Sequence, residues 1–444
     1  MKINNNDENV NLITKLNSCF LLTIVILLIV EYSLSNISDI LTKEISSQFG
    51  ITFFITIFIV VLLGQYILFS RMKRNKAIFE NKISHIIKVY RVSIFIQILL
   101  NALITIIISQ VIFGFKYSTI LLILITTISY GFAIFNMSLL SYMFLKWFLV
   151  KKNALTLIYG LGSIFVAINA LISIILFDTV LSQKDSFIPY NTVVLFPGFD
   201  EGTLMSWIFS FQTYTNISYF ILMWMGTVIL LKYKINKIGS LKFCILSILP
   251  LIYLMSYYFT LYDTLNPEAP IAASANLTGL ILFFGFSALG GGITVAFGFR
   301  EISKSINSEN VKNFLKLTSI GFLLYFITGA ASIGQAPYPP YGIINVSMVG
   351  LSSLLILEGL YLSATYLSTY RRQRNLIKST LDASRLLGSI GTAQRNLEIE
   401  KITSKVLKEQ EKDNDDITDT PLNENEIKSY IDEILMDLKK RRKS

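Results

Sequence analysis

The sequence predicts an all-α polytopic membrane protein, a bundle of about ten transmembrane helices with both termini cytoplasmic and a helical cytoplasmic tail. Three observations carry this. Of the 444 residues, 53% are hydrophobic and only 15% charged, against about 25% charged in a soluble domain. The apolar residues gather in runs of about 20, the length a helix needs to cross a hydrocarbon core of about 30 Å. Lys and Arg fall in alternate connections between the runs.

The polar N-terminal segment, residues 1–17, has mixed charge and no small-residue cleavage site after the run that follows. The first run, 18–36, therefore reads as a retained helix and not a removed signal peptide. Nine further runs cover 51–70, 92–115, 119–145, 155–177, 206–231, 243–262, 277–299, 315–334 and 343–368, which closes the bundle region at 18–370. Helices are the expected form, because in lipid each segment must satisfy its own backbone polar groups. Alternation at period two is absent, which excludes a membrane barrel.

With the N-terminus inside, 20 of the 39 basic residues lie in inner segments before the tail, 16 lie in the tail, and three (Lys43, Lys116, Lys184) lie outside. The outer connections hold Asp39, Glu44, Asp178, Asp185, Asp200, Glu201, Asp263 and Glu268. This is the positive-inside pattern of a plasma-membrane protein, and the net charge of +10 becomes a basic face toward anionic lipid. Basic residues interleaved with base-stacking aromatics are absent, so nucleic acid is not an expected partner.

The long outer connection, 178–205, holds SFIPYNTVVLFPGFDEG and reads as an ordered cap near the headgroups. Aromatic and proline-rich outer loops suit interface anchoring, and a ligand surface is the alternative. Asn36 (NIS) and Asn276 (NLT) are outer sequons. Cys19 and Cys244 form no disulfide framework and read as packing residues.

Catalysis finds no machinery. The sole histidine, His85, stands in a cytoplasmic loop beside Lys82 and Lys88, and no zinc, nucleophile-elbow or nucleotide-loop motif occurs, so no catalytic residue, metal site or cofactor is expected.

Candidate functional residues lie inside the spans. Span 8, LTGLILFFGFSALGGGITVAFGF, places Ser287, Ala288, Gly290, Gly291 and Gly292 at membrane depth. Small residues every four positions make a face for close helix packing; a broken, hinged helix that coordinates a solute is the alternative. Gln97 with Asn101, and Gln212 with Asn216, stand one turn apart on spans 3 and 6, while Asn136, Asn169 and Asn345 occur singly. Such amides serve as interhelical glue at about 0.6 kcal/mol each, or line a polar pathway. Glu31 is expected at the headgroups at the outer end of span 1. Glu358, deep in the last span with no Lys or Arg at matching depth, must face the interior and either accept hydrogen bonds or stay neutral. A functional acid and a structural one remain open.

In the tail, 371–411 carries a helical stripe of Leu376, Ala383, Leu386, Leu387, Ile390, Ala393, Leu397 and Ile402. An acidic linker, 412–422, and a second amphipathic helix, 423–444, follow; the latter ends in a basic cluster. The apolar stripe calls for a partner: the other tail helix, a second copy of the chain, a cytoplasmic protein or the membrane surface. SRLLGSIGTAQRNLEIEK (384–401) with the acidic linker and terminal helix resembles the tails of uncharacterised multi-pass membrane proteins of ammonia-oxidising archaea. That resemblance implies an archaeal plasma membrane and no chemistry. Two functions are expected from the residues: a non-enzymatic sensor or scaffold acting through the tail, or a small-solute or proton-coupled transporter using Glu358.

Overall fold

The computed structural model describes residues 20–35, 48–76, 84–182, 186–189, 203–232, 235–252, 254–255, 277–304, 306, 308–329, 339–369 and 384–413. They form α1 (Phe20–Ser35), α2 (Gln48–Lys76), α3 (Ser84–Gly114), β1 (Lys116–Ser118), α4 (Thr119–Val150), α5 (Ala154–Ser182), β2 (Phe187–Pro189) and α6 (Leu204–Lys232). After the single turn Ile235–Ile238 come α7 (Ser240–Ile248), α8 (Leu277–Lys304), α9 (Glu309–Thr328), α10 (Ile343–Thr369) and α11 (Ser384–Asp413).

Seven of these, α2 to α6, α9 and α10, are long and apolar enough to cross a membrane by length and composition. The other three predicted runs also coincide with helix: α1, the 28-residue α8, and the short apolar stretch Ser240–Ile252. Among the described residues an antiparallel ribbon also occurs, in which Lys116 pairs with Pro189 and Ser118 with Phe187. His85 lies in the first turn of α3, where the sequence predicted a loop.

α10 is the axis. Its membrane-length window is entirely buried, whereas about a third of the equivalent window of α3 is. α3, α4, α9 and α11 all pack on it. Its crossing with α9 is close enough to require glycine on both sides. A Cβ on Gly321 would meet the Ile356 nitrogen at 2.8 Å, and one on Gly359 would meet Phe314 O at 2.6 Å. Dispersion contacts at such crossings replace the hydrophobic effect, which lipid does not supply between helices.

One end of the bundle gathers Glu31 with Gly342, Tyr341 with Gly50, and the β1–β2 ribbon. The opposite end gathers Trp147, Ser368 and α11. The start of α10 and the docked part of α11 therefore lie at opposite ends of the bundle. The loop stretch 190–202, Asn36, Asn276 and Cys19, Ser287 and Ala288 as side chains, Leu376 and Ala383, and the segment 414–444 lie outside the described residues.

Candidate functional site

α10 begins at Gly342, whose φ of +94° lies in the left-handed region, after the loop residues Pro340 and Tyr341. Glycine is the residue that enters this conformation without strain. It supplies no side-chain cap, so the first N–H groups of α10 need an acceptor from elsewhere. Glu31 of α1 provides it. Its Oε1 accepts from Gly342 N at 2.9 Å and Ile344 N at 3.0 Å, and its Oε2 accepts from Asn345 N at 2.9 Å. Glu31 is fully buried within the bundle. A carboxyl group at the positive end of a helix dipole is favourably placed, and it accepts three backbone bonds.

Along α10, five serines return hydroxyl bonds to their own helix: Ser347 to Ile344, Ser352 to Val349, Ser353 to Gly350, Ser363 to Gly359 and Ser368 to Thr365. The hydroxyls are thereby satisfied within one segment, which lets so polar a helix occupy a dry core. Neighbouring helices reach its backbone. Ser129 Oγ donates to Val346 O at 2.5 Å, and Asn136 Nδ2 donates to Ser353 Oγ at 3.0 Å. Gln97 Nε2 donates to Ser347 O at 3.5 Å. Asn101 Nδ2 donates to Gln65 Oε1 at 2.7 Å, and Gln65 Nε2 contacts Met348 Sδ at 3.2 Å. Gln97 and Asn101 thus join α3 to α10, with Gln65 of α2 as a third member that the sequence reading passed over. An amide in a strongly apolar run was its available signal.

Glu358 lies on this same α3-facing side, about three turns beyond Ser347. It is 3% exposed. Tyr90, two turns before Gln97 on α3, has its phenol within electrostatic reach of the Glu358 carboxyl and donates to Phe69 O at 3.3 Å. Further along, Tyr361 stands against Thr365 and within electrostatic reach of Glu398 of α11. Glu398 Oε1 accepts from Ser368 Oγ at 2.9 Å and Gln394 Nε2 at 3.1 Å, while Gln394 Oε1 accepts from Trp147 Nε1 at 2.9 Å. Polar groups therefore recur along one side of α10 from Gln97 to the tail helix.

Gln212 and Asn216 stand elsewhere, in the α5–α6 contact. Gln212 Nε2 donates to Ser173 Oγ at 2.8 Å. The two amide pairs form separate clusters, and only Gln97 and Asn101 share a neighbourhood with α10. The glycine run of α8 leaves its helix continuous from Leu277 to Lys304. Gly290 lies against Leu249 O and Gly292 against Leu323 O, where a Cβ would stand 3.0 and 3.1 Å away.

α11 docks through Leu386, Leu387, Ile390 and Ala393, each at most 1% exposed. Gly391 lies against Leu367 of α10. Ile402, read from sequence as part of the same stripe, is 64% exposed. Cys244, read as a packing residue, is exposed on α7. No protein-family model, no curated protein and no solved structure matches the chain.

Proposed function

We propose that the chain is a non-enzymatic multi-pass plasma-membrane protein of sensory or scaffold type. Ten helices span the bilayer with both termini cytoplasmic, and the tail binds a cytoplasmic protein, a second copy or the membrane surface. The observation that carries this is the divided tail helix. Its first half is fastened to the inner ends of α4 and α10 by Trp147–Gln394 and Ser368–Glu398, while Glu400, Lys401 and Ile402 face outward. A helix docked on the membrane core can present a surface whose position follows the packing of α10. The basic residues of the inner segments and tail suit anionic lipid on that side.

A second reading, proton-coupled or small-solute transport, is favoured by one observation: Glu358 is buried on α10, with Tyr90 of α3 within electrostatic reach. The two readings separate experimentally. A photo-crosslinking residue at position 402 in intact membranes is expected to bond one discrete partner or a second copy, and Ala393→Asp, which undocks α11, should abolish the product. Purified chain in vesicles is expected to pass no more protons than empty vesicles. Proton uptake that Glu358→Gln abolishes would replace the scaffold reading with transport.

A further inference from the structure

The geometry points to a monovalent metal-cation site between α5 and α6, built from Asn169, Ser173, Gln212 and Asn216. It is independent of the tail and of Glu358.

The register of the two antiparallel helices brings these residues together. Gln212 bonds Ser173, Met223 packs on Gly162, and Gly226 packs on Tyr159. A step forward along α6 is matched by an equal step back along α5. Asn216, one turn after Gln212, therefore falls across from Asn169, one turn before Ser173. Both asparagines and the serine are buried, at 9% exposure or less, near the middle of their helices.

The oxygens outnumber the donors that engage them. Ser173 Oγ donates to Asn169 O at 2.9 Å and stands 3.4 Å from Asn169 Oδ1. Asn216 Oδ1 is buried and accepts no hydrogen bond among the described residues. Interhelical glue accounts for the Gln212–Ser173 bond and leaves the Asn216 oxygen unexplained. A buried acceptor without a donor costs about 1–3 kcal/mol, which a leucine at this position would not incur. A group that brings positive charge to the oxygen removes that cost.

The donor set defines the ligand. Amide, hydroxyl and backbone carbonyl oxygens are hard ligands suited to hard cations. All four residues are neutral. Asp178 is the sole acid of α5 and is exposed toward the helix end, and α6 has no Asp or Glu. Dehydrating a divalent ion needs compensating carboxylates; neutral oxygens can repay the smaller cost of a monovalent ion. Turning the Gln212 amide over would present Oε1 as a further ligand.

The test uses the full chain purified in lipid nanodiscs, with thermal unfolding followed by intrinsic tryptophan fluorescence in sodium, potassium or choline chloride at one ionic strength. A saturable rise in the midpoint is expected in at least one metal-ion salt over choline, because an ion that binds only the folded state stabilises it by mass action. The rise should vanish in Asn216→Leu and shrink in Ser173→Ala, while Gln97→Leu in the other amide cluster retains it. If Asn216→Leu does not fold, Ser173→Ala and direct binding of radioactive sodium carry the comparison. Equal midpoints in the three salts for wild type, or a rise that both variants keep, would overturn the site.

Discussion

Asn345 donates twice to α1, once to Glu31 and once to the backbone a turn before it. Glu31 Oε2 accepts the Asn345 backbone N–H at 2.9 Å, and the Asn345 side chain donates to Leu28 O at 2.9 Å, one turn before Glu31. The first and the last apolar helices are thereby clamped end to end. Glu31→Leu should lower stability sharply, since each of three buried N–H groups losing its acceptor costs about 1–3 kcal/mol. Glu31→Gln should fall between, because a carboxamide keeps one acceptor oxygen and turns a donor toward the other N–H groups. The order of thermal midpoints in purified protein checks this; a wild-type midpoint in Glu31→Leu would show that the clamp contributes nothing.

The α9–α10 crossing makes a second prediction. Gly359→Ala places a methyl group against Phe314 O and Thr318 N, backbone that cannot move aside. Overpacking of this kind costs about 1–3 kcal/mol. Gly131→Ala on α4, where a Cβ meets nothing within 4 Å, should instead be neutral or stabilising by up to about 1 kcal/mol. Denaturation of the two variants side by side separates crowding from helix propensity.

Truncation should act in two steps. Removing residues 405–444 leaves the docked part of α11 in place, and the purified bundle should keep its unfolding midpoint. Removing 371–444 also uncovers Trp147 and Leu367, so that variant should aggregate or unfold at lower temperature. Size-exclusion profiles and midpoints report both. Identical behaviour of the two truncations would mean that the α11 contact is not part of bundle stability.

Sidedness can be read with a single cysteine in a background lacking Cys19 and Cys244. A cysteine replacing Ser118, in the ribbon, should react with a membrane-impermeant maleimide added to intact cells. One replacing Lys151 should react only after permeabilisation. The reverse pattern would invert the proposed topology.

The helical segments were legible because a 20-residue apolar run admits few other structures in lipid. The ribbon was not, since three residues such as Lys116–Ser118 are too short to show a period. The partners of Glu31 were not legible, because distance from a span end says nothing about what the carboxyl meets. The informative signal lay over 300 residues away, in a helix start, Gly342-Ile343-Ile344, that offers no capping side chain. Gln97 and Asn101 were legible as an inward face, but their partner Gln65 depended on which helices adjoin. Ile402 fits the spacing of the docked stripe yet is exposed, because spacing alone does not say how far along a helix its partner extends.

The position of α10 also bears on biogenesis. The helix that fills the centre is made after the apolar helices around it. Until ribosomes have released it into the membrane, α3, α4 and α9 lack their common neighbour, and Glu31 has no helix start to hold. Assembly therefore has a late, decisive step, and a chain stopped before residue 343 is expected to be a substrate for membrane quality control even though most of its helices have been inserted.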